Sequence, residues 1–199
     1  MSLNGSNNEE KIWNYLKSKK LSDSGIAGLM GNLYAESCLI SNNLQNTYEK
    51  KLGLSDAEYT KQVDNGTYTN FIHDGAGYGL AQWTFWTRKQ GLLDYAKSCK
   101  ASIADFEMQV NYLYQELTGC SGLLSLLKLT NSVREASDAV LTQFERPADQ
   151  SLAVKEKRAG FGQAYFEKYA TKISIDKEEP ALKLVQAIMT KNPCYTGGR

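Results

Sequence analysis

Histidine is almost missing from this chain: His73 is the only one in 199 residues. A zinc centre built on histidines is therefore excluded, and no spacing of His73 with the cysteines fits a mixed site. Cys38, Cys99, Cys120 and Cys194 are widely spaced and form no CxxC pair, and a chain this long can fold without disulfides. We expect mostly free thiols, with Cys99–Cys120 the pair to examine first. A cysteine peptidase would have to pair Cys38 with His73, yet Cys38 lies just past a helix end, whereas a thiolate is better stabilised at a helix start. No metal and no cofactor are expected. No apolar run approaches the roughly 18 residues needed to cross a bilayer. Net charge is only +1, so nothing draws the chain to nucleic acid or to an anionic membrane surface. There is no glycine loop ending in Lys-Ser/Thr for a nucleotide phosphate. The opening, MSLNGSNNEE, lacks the charged and apolar regions of a secretory signal. The expectation is synthesis in the cytoplasm, with any target outside the cell reached by another route.

What is present is helical pattern. Ile12, Trp13, Leu16 and the stem of Lys20 form a stripe over residues 9–20. Ser22 and Asp23 make an N-cap for the next helix. There Ile26, Leu29, Met30 and Leu33 fall at helical spacing while Gly25, Gly28 and Gly31 recur every three residues. Each glycine costs about 1 kcal/mol relative to alanine. Three in one helix imply that other backbones pass close by, so this reads as a buried central helix ending near Ser37. Residues 40–54 are polar and read as loop. Ser55-Asp56-Ala57-Glu58 opens a short helix with a capping box. Thr67 to Trp83 mixes β-branched and aromatic residues with glycines and reads as a hairpin or an irregular lobe. Helical segments follow near 84–98, 103–118, 121–129, 132–144, 152–171 and 178–190. The predicted fold is mainly α, a helical domain around a central buried helix with a small β or irregular lobe. Residues 1–8 are expected to be a disordered tail, 9–172 the domain, and 173–199 a linker and the start of a following domain.

Two stretches carry the chemistry. Ala35-Glu36-Ser37 places one carboxylic acid where the apolar helix runs out. His73-Asp74-Gly75-Ala76-Gly77-Tyr78-Gly79-Leu80-Ala81-Gln82-Trp83 joins a carboxylate, an amide, glycines and rings. Glycoside hydrolysis needs an acid that keeps its proton near neutral pH. Two effects push a carboxyl at position 36 that way: desolvation by the apolar helix, and the partial negative charge at that helix's C-terminal end. Asp74 is the candidate second carboxylate, to stabilise an oxocarbenium-like transition state or orient water; it is equally a turn residue in an Asp-Gly pair. Gly79, with Gly77, lets backbone approach a ligand. Gln82 can donate to and accept from hydroxyl and acetamide groups. Twelve tyrosines each offer a ring and a hydroxyl, which suits sugars or half-buried packing alike. Tyr34 and Tyr78 are the two nearest the motifs. Trp83 and Trp86 lie three apart, and either can floor a sugar subsite or pack in a core. Glu145, in Phe144-Glu145-Arg146-Pro147, is a further candidate for the second carboxylate, with a salt bridge to a nearby base as its other reading.

The segments NLYAESCL, NLQN and YGLAQWT, in that order and spacing, resemble the phage tail lysozyme family over roughly residues 9 to 170. More distantly the chain is similar to goose-type lysozymes and lytic transglycosylases. The resemblance implies a lysozyme-like fold and a peptidoglycan hydrolase that cleaves the β-1,4 bond between N-acetylmuramic acid and N-acetylglucosamine. It gives Glu36 the general-acid role and Gly79-Leu80-Ala81-Gln82 the cleft segment that meets an N-acetyl sugar. It carries over no second carboxylate. Lytic transglycosylases work with one acid, so hydrolysis and transglycosylation both stay open, as does a non-catalytic peptidoglycan-binding tail component. The closing MTKNPCYTGGR resembles the start of prophage N-acetylmuramoyl-alanine amidase domains, which implies one part of a longer modular endolysin or tail protein acting on the cell wall.

Overall fold

The computed structural model describes residues 2–170; the expected helix over 178–190 and the linker over 173–199 lie outside the described residues. Nine α-helices follow in order: α1 Asn8–Ser18, α2 Asp23–Ser37, α3 Asn46–Leu52, α4 Asp56–Asp64, α5 Trp86–Cys99, α6 Phe106–Gly119, α7 Ser121–Leu129, α8 Val133–Val140 and α9 Leu152–Tyr169. A π-helical turn, Leu141–Glu145, extends α8. The helices form two compact units, residues 2–35 with 117–170, and residues 36–116. The divisions fall inside α2 and α6.

The first unit is built on α2. Its glycines do what their spacing predicts. A methyl at Gly25 would meet the Leu127 carbonyl at 2.0 Å, one at Gly28 the Ser137 nitrogen at 2.6 Å, and one at Gly31 the Gly162 nitrogen at 2.5 Å. α7, α8 and α9 thus lie backbone to backbone on one helix. Buried Asn32 ties them further. Its amide nitrogen donates to Gly28 O (2.9 Å) and to Ser137 O and Oγ (both 3.1 Å), and its oxygen accepts from Arg158 at 3.2 Å. α1 is capped by Asn7, which accepts from Glu10 N, and it buries Ile12, Trp13 and Leu16. Residues expected to fray also bond here: Ser6 N–H donates to Glu10, and Asn14 donates to Asn4 O.

The second unit joins α3, α4, α5 and most of α6 to an irregular segment over residues 66–85. No strand forms among the described residues; two isolated antiparallel bridges, Leu44 with Tyr78 and Tyr78 with Trp83, take its place. α4 starts with the expected capping box between Ser55 and Glu58. α3 differs from the expected loop over 40–54. It buries none of its own residues and closes on left-handed Gly53, so no apolar stripe announces it. Its entry is fixed from a distance, because Gln45 N–H donates to Gly77 O while the Gln45 side-chain Oε1 accepts from Gly77 N–H. The core of the unit is aromatic: Tyr59, Phe71 and Tyr78 pack with centroids 5.5–6.1 Å apart. Cys99 and Cys120 are free thiols, so the pair we expected to examine is not bridged. Cys38 is disulfide-bonded, where mostly free thiols were expected of the four cysteines.

Candidate active site

Glu36 occupies the last turn of α2, next to Ser37 at its end. Its residue is only 8 % exposed: mostly desolvated by its surroundings, yet still in contact with solvent. Past the helix the chain turns through Cys38 and Leu39, both left-handed at φ 53° and 59°. Side chains other than glycine seldom adopt this conformation, and two in succession need outside support. Ser37 supplies part of it by donating its hydroxyl to the Leu80 carbonyl at 2.8 Å. The acid-bearing helix end and the glycine turn are thereby one assembly.

That turn is tightly specified. Tyr78 and Trp83 exchange backbone bonds, and Gln82 N–H closes onto Gly79 O at 3.1 Å. Gly79 sits at φ 74°, where an added methyl would strike the Gln109 amide at 2.7 Å. Gln109 is fully buried and links three segments: it accepts from Leu80 N–H (3.0 Å) and donates to Ser41 O (2.7 Å) and Ile103 O (2.6 Å). Gln82 is itself left-handed, at φ 44°. It is the one non-glycine residue of that conformation, among the described residues, that does not follow a helix end. Its amide nitrogen donates to Asn43 Oδ1 (2.9 Å) and Asn43 O (3.0 Å). Backbone strain of this kind costs on the order of 1–3 kcal/mol per residue and persists only where surrounding bonds enforce it.

The other residues singled out in the sequence are placed as follows. Asp74 faces inward, with its side chain 2 % exposed and ion-paired at 2.6 Å to Lys89, whose side chain is 0 % exposed. It also accepts from Tyr59 (2.5 Å), Tyr68 (3.2 Å) and its own turn at Ala76 N–H (2.9 Å). Burial pulls the Lys89 ammonium below its ordinary pKa, and Asp74 pulls it partly back. Burial, then Asp74, pushes the Tyr68 phenol up to about 12. Tyr78 and Trp83 are both 0 % exposed. Neither ring can floor a sugar subsite from there: Tyr78 bonds Thr60 at 2.6 Å, and Trp83 donates to Glu116 at 2.7 Å. Glu116 is held in turn by a two-point pair with Arg88. Tyr34 belongs to the first unit and packs edge-on against Phe161 of α9, 4.8 Å between centroids. Glu145 is buried at the end of the π-helical turn. An open hollow of about 650 Å³ lies by Ser41, Asn42 and Thr60, and Glu36 is not part of its lining. Among the described residues, no group of three His, Cys, Asp or Glu side chains is placed to hold a metal ion.

Lys89 and Glu116 have no signal in the sequence, and Asn43 stands there only as the first residue of the NLQN segment, with no role attached. Gln109 left a trace as an amide between Met108 and Val110 on the apolar side of α6.

The family model for phage tail lysozyme matches residues 7–169. The chain belongs to the phage tail lysozyme family. Among curated proteins nothing matches it. Membership gives the mainly helical, lysozyme-like architecture its name and indicates a peptidoglycan-lytic function of glycosidase type. The matched span takes in Glu36 and the whole of the Tyr78–Trp83 turn. Among the described residues, no helix is long and apolar enough to cross a membrane.

Proposed function

We propose that the chain cleaves the β-1,4 bond between N-acetylmuramic acid and N-acetylglucosamine in peptidoglycan, with Glu36 as the general acid. The observation that carries this reading is the 2.8 Å bond from Ser37 to Leu80. It ties the helix end bearing Glu36 to a rigid, strained turn in a member of a murein-degrading family. A carboxyl held this way is pre-oriented, which is what proton transfer in a transition state requires. Glu36 gives its proton to the bridging oxygen as the C1–O bond breaks, and the sugar left behind takes on oxocarbenium character.

The engagement of Asp74 favours a mechanism with one acid. Both its oxygens are occupied by Lys89, Tyr59, Tyr68 and Ala76, so its role is to hold the lobe together. The Glu36 carboxylate then takes a proton back from whatever attacks C1. Water as the nucleophile leaves a reducing end. The 6-hydroxyl of the same muramic acid leaves a 1,6-anhydro end, the transglycosylase outcome.

The test is clearing of a cell-wall suspension by wild type and by Glu36→Gln, with mass spectrometry of the released fragments. Loss of a general acid lowers the rate by about 10²–10⁴-fold. Equal clearing by both proteins removes Glu36 from the mechanism. No clearing by either favours a glycan-binding tail component. Anhydro or reducing ends identify the nucleophile.

A further inference from the structure

Two neighbouring tryptophans of the second unit have opposite fates. Trp83 is wholly inside, whereas Trp86 is 52 % exposed and Phe85 beside it 63 %. Their centroids are 6.3 Å apart, and the ring of exposed His73 lies 6.2 Å from Trp86. Three rings thus stand side by side at the surface, two of them within four residues after Gln82 and the third nine residues before it. Packing does not explain them, because the aromatic core closes without them through Tyr59, Phe71, Tyr78 and Trp83. Helix formation does not explain them either, since Phe85 occupies the N-cap of α5, where it has no side-chain oxygen to offer, and no side chain caps that helix.

We infer that Phe85 and Trp86, with His73 at the edge, form a stacking platform for a pyranose ring of the glycan strand, a subsite separate from the proton-donating group. This rests on the proposed action on peptidoglycan. The size of the patch selects the occupant. Trp and Phe each carry roughly 150–250 Å² of surface, so the two rings present about 200 Å² at these exposures. A stable protein partner needs about 800 Å² on each side. One or two sugar rings fit the smaller figure. The chemistry agrees: the C–H face of a pyranose lies on an aromatic face, and hydroxyl or acetamide oxygens meet nearby donors. Here the uncapped first turn of α5 supplies backbone N–H groups next to the rings.

The experiment measures binding of β-1,4-linked N-acetylglucosamine hexasaccharide by calorimetry, in the Glu36→Gln background so that the sugar stays intact. Trp86→Ala, Phe85→Ala and Trp86→Tyr are compared, with thermal melts as the folding control. Kinetics on purified sacculi are run with Glu36 restored. The expected result is a loss of about tenfold in affinity for each alanine variant. On sacculi KM should rise by a similar factor, with kcat changing much less, and Trp86→Tyr should recover most of both. Affinity and KM unchanged by both alanine substitutions overturn the inference. So does wild-type self-association that Trp86→Ala abolishes without touching sugar affinity, which makes a second copy the occupant. Clearing that needs Glu36 while KM ignores Trp86 keeps the proposed function and removes the platform. Trp86-dependent hexasaccharide binding without clearing does the reverse.

Discussion

Ser37 Oγ donates to the Leu80 carbonyl at 2.8 Å, across 43 residues of sequence. Leu80 is fully buried. Ser37→Ala therefore takes away the donor that a buried carbonyl has there, a loss of about 1–3 kcal/mol. In a domain this size each kcal/mol shifts Tm by about 2–4 °C. Clearing activity, measured well below the melting range, should fall by more than the melt implies, because the same bond orients the turn carrying Glu36. Unchanged Tm and unchanged clearing together would sink the claim that this bond joins the two motifs.

Gly28 and Gly31 of α2 and the open glycines of the outer helices, Gly122 and Gly160, should respond to alanine with opposite sign. At Gly28 and Gly31 the new methyl lands 2.5 Å from Ala136 Cβ and from the Arg158 carbonyl. Overpacking of this kind costs about 1–3 kcal/mol or more. Gly122 in α7 and Gly160 in α9 have nothing within 4 Å of the added atom. Alanine there should gain up to about 1 kcal/mol from helix propensity alone. Chemical denaturation of the four single variants reads both signs.

The Lys89–Asp74 pair separates a structural acid from a catalytic one. Asp74→Asn leaves an ammonium in a dry site without its counter-charge, at about 3–5 kcal/mol. Lys89→Met with Asp74→Asn should recover much of that stability, since both charges are then gone. The double variant should also clear cell walls at a rate close to wild type. A double variant that folds normally but is inactive would make Asp74 a participant in the chemistry.

Alkaline pH should loosen the fold. Burial raises the phenol pKa of Tyr59, Tyr78, Tyr112, Tyr165 and Tyr169 above the ordinary value, and neighbouring carboxylates raise several of them further. In the unfolded chain these phenols ionise near pH 10, while in the native state they keep their protons. The native state then binds more protons than the unfolded one, so stability is intact below pH 10 and drains away as pH rises beyond it. Lys89 acts in the opposite direction, because its lowered pKa lets the folded state release a proton first. One lysine does not offset several tyrosines. Melting temperature should fall steadily above pH 10, and tyrosinate absorbance near 295 nm should appear together with unfolding. Free titration of these phenols at pH 10 in a protein that stays folded would contradict their burial.

Much of the framework was legible in advance because its causes are local. A capping box acts within one turn, as at Ser55 and Glu58. An apolar stripe repeats every three or four residues, as at Ile12, Trp13 and Leu16. The triple glycine of α2 implied close neighbours, although not which ones. α3 escaped notice because it buries no side chain of its own and takes its position from Gln45 and Gly77. For the same reason the acid at the end of α2 could be picked out, while the residues that hold the opposite turn could not. Gln109 reaches Ser41 over 68 positions and Leu80 over 29, and no window of sequence contains such a pair.

Composition and short-range pattern already specified a helical chain with one conspicuous acid at a helix end beside a glycine turn, since those signals are carried by neighbouring residues. Long-range packing settled the rest. It turned Trp83 and Tyr78 inward and left Trp86 and Phe85 outside, although all four look alike in a list of aromatics. It also gave Asp74 to Lys89 rather than to solvent. Whether a ring or a carboxylate meets water depends on what other parts of the chain close over it, and that is a property of the assembled fold.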